Sequence, residues 1–202
     1  MDIQLFTGDA IQPYIRNLAK LRIEVFKEYP YLYQGDFDYE QVYLYSYIHA
    51  KNAAVVLAFD KEKVIGASTC IALNESDTFI QFPFTTRGYD VNKGVYFEES
   101  VLKKQYRKQG IGVRFFEERE KWASSYFKKK NIMKGRFTTF CGINRPDTHP
   151  LRPKDYQDLE RFWKNRKYKK QPHIQTQISW KEVEKEIEEF HSLTFWTREW
   201  DK

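Results

Sequence analysis

Cysteine is scarce in this sequence: only Cys70 and Cys141 occur, each inside an apolar run and neither in a closely spaced pair. That argues against a disulfide-stapled scaffold and a zinc–thiolate site, and the two side chains read as buried, reduced thiols of a cytoplasmic protein. The four histidines, His49, His149, His173 and His191, are scattered and match no zinc spacing, so no metal is expected. No apolar run approaches the roughly 20 residues needed to span a bilayer. Met1-Asp2-Ile3-Gln4 does not lead from a basic stretch into an apolar one, so no signal peptide is visible and no membrane partner is expected. Internal repeats, Gly/Ser linkers and low-complexity tracts are missing as well.

Charge and aromatic rings are what the sequence does hold. Lys and Arg total 34 against 28 Asp and Glu, a net charge of +6, and 17% of the residues are aromatic. The positive balance suits an anionic ligand, a nucleic acid or an anionic surface equally well. With 202 residues, 41% of them hydrophobic, the chain fits one domain with a substantial core.

Hydrophobic spacing divides that domain into three stretches. Residues 1–52 read as a helical segment: an amphipathic helix over 11–27, a loop over 29–35 broken by Pro30 and Gly35, and a second helix capped by Asp38. Residues 53–143 hold a hairpin (53–60 and 64–73), a strand over 94–102, a helix after Gly112 and a strand over 136–143. Residues 144–202 hold a proline-punctuated loop, a helix over 155–166, a strand over 173–180, a charged helical piece and closing strands over 191–200. The order implies a mixed α/β, α+β-like domain.

The chemistry concentrates at Arg107-Lys108-Gln109-Gly110-Ile111-Gly112-Val113. A helix that begins inside such a turn leaves its first N–H groups without partners, and two glycines keep Cβ atoms out of a ligand's way. Donors at the positive end of a helix dipole suit a phosphate or pyrophosphate. No Lys-Ser or Lys-Thr pair follows the second glycine, and no third glycine is spaced for a dinucleotide fingerprint. Taken alone, the turn could equally be an ordinary strand-to-helix connection.

In context, the strand ending at Val101-Leu102, the short basic crossover, Arg-x-x-Gly-x-Gly and the amphipathic helix resemble the acetyl-CoA signature of the GNAT acetyltransferase superfamily. The resemblance covers residue 53 onward, and the two helices before it fit the family's order. It extends to 159–168, similar to the family's late helix, with Lys167 where a glycine is usual. The long 145–156 loop resembles a bacterial subgroup of unknown substrate. The implied fold is the GNAT acyl-CoA N-acyltransferase fold, a mostly antiparallel mixed sheet flanked by helices. The implied acyl donor is acetyl-CoA, held by Val101, Leu102, Arg107, Lys108, Gln109, Gly110, Ile111, Gly112 and Val113.

By that resemblance an amine attacks the thioester directly in a ternary complex. A free alkylamine has a pKa of about 10 and arrives protonated, so a carboxylate must take the proton. Glu98 and Glu99 are the candidate bases. In a regular strand they point to opposite faces, and Glu98 shares its face with Tyr96 and Ser100. The resemblance also implies that the Leu102 N–H stabilises negative charge on the acyl oxygen. The usual tyrosine acid of the late helix is Trp163 here, and Tyr156, seven residues earlier, is the candidate in its place.

On the acceptor side, seven tyrosines fall between Tyr29 and Tyr47 with Asp36, Asp38 and Glu40 among them. Tyr31, Tyr33, Asp36 and Tyr96 are the candidate acceptor-binding residues, since aromatic faces and carboxylates suit a cationic amine. Alternatively the tyrosines pack a helix–loop–helix that the acids cap. The acceptor stays unidentified, and a homodimer stays open. Two other readings remain: an acyl-CoA-binding module without transfer, because of Trp163, and a nucleic-acid-binding domain, because of Lys128-Lys129-Lys130 and residues 166–170. No base-stacking motif accompanies those basic runs, so a nucleic-acid partner is not expected.

Overall fold

The Ala53–Asp60 run (β2) and the Lys63–Ala72 run (β3) are buried along nearly their whole length, because helices cover the sheet they form on both sides. The computed structural model describes residues 1–200; residues 201 and 202 of the C-terminal stretch lie outside the described residues. β2 and β3 form the expected hairpin, turning through Lys61 at a φ of 56°. The sheet has eight strands in the order β1-β2-β3-β4-β6-β8-β7, with β5 also on β3. β1 is Asp2–Phe6, β4 Gly94–Tyr96, β5 Ser100–Leu102, β6 Phe137–Ile143, β7 Lys169–Lys181 and β8 Glu188–Glu199. Among the described residues only β4 with β6 is parallel, and every other pairing is antiparallel.

Helices α1 (Ile15–Phe26) and α2 (Phe37–His49) cover one face through Leu18, Leu21, Leu44 and Tyr47, joined there by the short α3 (Thr78–Thr85). Before α1, residues 8–14 form a 3-10 turn containing Pro13, so the regular helix starts later than the spacing predicted. Asp36, not Asp38, caps α2: its carboxylate accepts from the Tyr39 N–H at 2.8 Å. The other face carries α4 (Ile111–Lys129), whose Phe115, Phe116, Ala123 and Phe127 are buried. Lys128 and Lys129 lie in its last turn, where a cation complements the helix dipole, so that basic run has a structural reason to be there.

Three further expectations change. The 94–102 strand breaks into β4 and β5. The 155–166 helix shrinks to α5 (Glu160–Lys164), because Asp158 accepts from the Glu160 N–H at 2.8 Å and starts the helix there. The charged helical piece is the end of the β7–β8 hairpin: Lys181 pairs with Glu188, and Glu184 turns at a φ of 69°. β1 and α3 were not anticipated. No helix among the described residues is long and apolar enough to cross a membrane.

Candidate functional site

The break between β4 and β5 is a β-bulge. Tyr96 pairs with Ile71 and Ser100 with Ser68, so four steps along this strand oppose three along β3. The extra residue overrides simple alternation at Glu98 and Glu99. Both carboxylates reach the α1–α2 side, contrary to the expectation of opposite faces. Glu98 accepts hydrogen bonds from the Tyr43 and Tyr47 hydroxyls of α2. Glu99 is buried in an ion pair with Arg22 of α1, and Arg22 also pairs with the fully buried Glu40.

Those partners separate the two candidate bases. Glu99 faces a guanidinium that stabilises its charge and blocks its approach to a ligand. Glu98 is half-buried and has no ion pair among the described residues. Burial raises its pKa above the usual carboxylate value, while the two phenols and Arg22 pull the other way.

Beyond the bulge the sheet opens. β6 follows β4 as far as Thr139, whose carbonyl accepts from the Phe97 N–H at 2.7 Å, and β5 then has no partner on that side. The bonds from the Thr69 N–H to the Glu99 carbonyl and from the Lys103 N–H to the Ile65 carbonyl fix the alternation on β3. Val101 therefore turns its backbone to β3, and Ser100 and Leu102 turn theirs to the opening. This arrangement bonds the Val101 backbone to Ala67 and leaves its side chain fully buried. It also brings in Ser100, which the sequence reading did not select.

The turn after β5 is built to expose N–H groups. Gly110 starts α4 at a φ of 81° without a side-chain cap, and Lys108 lies at 63°. Regular bonding resumes when the Val113 and Arg114 N–H groups reach the Gly110 carbonyl. The N–H groups of Lys108, Gln109, Gly110, Ile111 and Gly112 have no acceptor among the described residues. Nothing lies within 4 Å of a Cβ built on Gly110, whereas one on Gly112 would meet Phe162 at 3.4 Å. The Ile111 side chain is buried against Phe115, so only its N–H is available. The turn is fixed from below by Tyr106, whose hydroxyl donates to Asp60 at 2.7 Å.

Arg107 is not a free cation. Its Nε donates to the Leu102 carbonyl at 3.0 Å, and its guanidinium pairs with Glu28 at 2.7 Å. Lys103 pairs likewise with Glu24 at 2.7 Å, so α1 and the turn that follows it are tied to this loop by two residues four apart on each partner. That matched spacing was a sequence signal the reading missed. So was Tyr43-x-x-x-Tyr47, which puts both phenols on one face of α2.

Of the remaining candidates, Tyr96, Tyr31 and Tyr156 form a wall around Cys141. Tyr96 bonds its hydroxyl to the half-buried Cys141 thiol at 3.2 Å, and burial pushes that thiol up to about 12. Burial also raises the Tyr31 phenol, with Cys141 and Tyr156 nearby. Tyr156 lies in the loop before α5, not on a helix; its ring meets Tyr29 edge-on at 4.7 Å and lies under Arg152. Tyr33 sits beside Glu40, and the exposed Asp36 accepts from the Tyr39 N–H as the α2 cap. Arg145 locks this wall: it donates to the Pro30 and Tyr31 carbonyls and forms a buried pair with Glu182. Beside it an open groove of about 690 Å³ is lined by Arg145, His149, Leu151, Glu182, Phe190 and His191. Trp163 packs between Phe140 and Trp196 at 5.0 and 5.1 Å, as a core residue would.

No protein-family sequence model matches this chain, and no curated protein matches it significantly in sequence. Solved structures do. A GNAT-family acetyltransferase from Streptococcus pneumoniae aligns with a TM-score of 0.58 at 13% identity, covering 98% of this chain and 100% of that one. The ribosomal-protein-alanine N-acetyltransferase from Brucella melitensis aligns at 0.60 and 8% identity, covering 99% and 100%. The PaiA N-acetyltransferase from Thermoplasma acidophilum, solved in complex with coenzyme A, aligns at 0.54 and 12% identity, covering 99% and 100%. Over nearly its whole length, this chain has the fold of the GNAT acetyltransferases.

Proposed function

We propose that this protein is an N-acetyltransferase that transfers an acetyl group from acetyl-CoA to a primary amine of a small molecule or peptide. The observation that carries the reading is the juxtaposition of five unpartnered N–H groups at residues 108–112 with the open edge of β5. The donors suit a pyrophosphate, and the positive end of α4 and the exposed Lys108 add to them. The open positive-φ geometry at Gly110 fits a ligand approaching the backbone closely. Acetyl-CoA supplies an activated acyl group as a thioester.

In this reading the chain's residues have distinct tasks. The N–H groups of residues 108–112 bind the pyrophosphate. Ser100 and Leu102 offer backbone groups to an extended ligand arm, and the Leu102 N–H donates to the acyl oxygen. Glu98 takes the proton from the incoming ammonium, directly or through water, and its upward shift brings it nearer the pH at which it must act. Tyr156 returns a proton to the leaving sulfur. Tyr31 and Tyr96 line the acceptor side.

One observation favours a second reading, CoA binding without transfer: Trp163 fills the position where the resemblance implied a tyrosine acid, and it has no proton to give. A thiol-release assay with purified protein, acetyl-CoA and a panel of amines separates the two. Amine-dependent thiol release that falls at least tenfold in Glu98→Gln is the expected result. Thermal stabilisation by CoA without turnover on any amine supports the second reading, and neither stabilisation nor turnover overturns both.

A further inference from the structure

Glu98 is the one carboxylate of the bulge that α2 serves with neutral donors. The Tyr43 hydroxyl donates to one oxygen and the Tyr47 hydroxyl to the other. The two rings stand one helical turn apart with centroids 6.2 Å from each other. Tyr47 is 1% exposed, and its oxygen also lies 3.1 Å from Thr69 Oγ1. A phenol has one proton, so with that proton on Glu98 it is Thr69 that donates to Tyr47. The Arg22 guanidinium covers the Tyr43 ring at 4.4 Å.

A carboxylate buried only for structure would take the nearby cation as its partner. Here Arg22 is committed to Glu40 and Glu99. We propose that Tyr43 and Tyr47 are positioning residues that clamp both oxygens of Glu98, aim its remaining lone pairs at the opening beside β5, and keep it competent to accept a proton there. Each carboxylate oxygen retains a lone pair after one phenol is bound, so the clamp leaves room for an incoming N–H or water.

Several groups face Glu98. Tyr43 and Tyr47 come from α2, Arg22 from α1 and Thr69 from β3; Tyr96 and Cys141 come from β4 and β6, and Asp77 precedes α3. Burial and Asp77 favour the neutral acid; the two phenols and Arg22 favour the carboxylate. Removing a phenol therefore moves Glu98 further up. The acid limb of a rate profile that needs ionised Glu98 moves to higher pH with it.

The role of Glu98 as the base rests on the acyltransfer reading, but the clamp can be tested without turnover. The experiment follows the side-chain carboxyl carbon of Glu98 by 13C NMR through a pH titration, its signal assigned by its loss in Glu98→Gln. Wild type is compared with Tyr43→Phe, Tyr47→Phe and the double variant. The expected result is a higher titration midpoint in each single variant and a higher one still in the double. In the thiol-release assay each loss lowers turnover on the acid limb by roughly tenfold, the effect of one hydrogen bond to a charged group. An unchanged midpoint in both single variants overturns the proposal. If Tyr47→Phe does not fold, Tyr43→Phe alone decides. A raised midpoint with no amine-dependent thiol release from wild type supports the clamp while removing the acyltransfer reading.

Discussion

Gly110 sits at a φ of 81°, a conformation that costs an L-residue about 1–2 kcal/mol, while nothing crowds the place its Cβ would take. Gly112 keeps a negative φ inside α4, and its Cβ would meet Phe162 at 3.4 Å, an ordinary contact. The two glycines therefore differ: Gly110 holds a left-handed turn with open space before it, while Gly112 lies against Phe162. Gly110→Ala is expected to destabilise the protein by about 1 kcal/mol or more in urea denaturation. Gly112→Ala, whose methyl group would lie against Phe162 at an ordinary contact distance, is expected to leave both the urea midpoint and CoA binding by calorimetry nearly unchanged. A tenfold loss of CoA affinity in Gly112→Ala at an unchanged urea midpoint would mean that the ligand approaches over the second glycine instead.

Between elements, the joint that matters is the one Arg22 makes. It ties α1 to α2 through Glu40 and to the bulge through Glu99, all three residues being buried. Removing the cation leaves two buried carboxylates facing each other, so Arg22→Leu is expected to cost about 3–5 kcal/mol by chemical denaturation. A loss below about 1 kcal/mol would show that the carboxylates find water, and that the joint is not what holds α1 and α2 on the bulge. The sequence made much of this region legible. The apolar runs of β2 and β3, the periodicity of α4 and the glycine turn were enough to place the sheet and the donor-rich loop. It could not reveal that Glu98 and Glu99 would reach the same side, because a bulge depends on the partner strand's register and not on local alternation. Nor could it reveal α3, whose Pro83 reads as a breaker yet sits inside the helix, or the β7–β8 hairpin end, where Glu and Lys residues at helical spacing pair across strands instead. In both places tertiary pairing overrides propensity.

At the scale of the whole molecule, the net charge of +6 is a poor guide to the ligand site. Around the turn Lys103 and Arg107 are offset by Glu24 and Glu28, and of its cations only Lys104 and Lys108 make no ion pair among the described residues. Affinity there must then come mainly from the five N–H groups and the end of α4, which recognise a pyrophosphate and not charge in general. Because such a ligand binds only the folded chain, it stabilises by mass action. At about 100 times its Kd the gain is about 2.7 kcal/mol, which for a chain of this length is a Tm rise of roughly 5–11 °C. CoA is expected to give that rise, ADP at the same concentration to keep a clear part of it, and pantetheine, which lacks the pyrophosphate, to give almost none. A shift from pantetheine equal to that from CoA, or none from ADP, would move the dominant contact from the residue 108–112 turn to the open edge of β5.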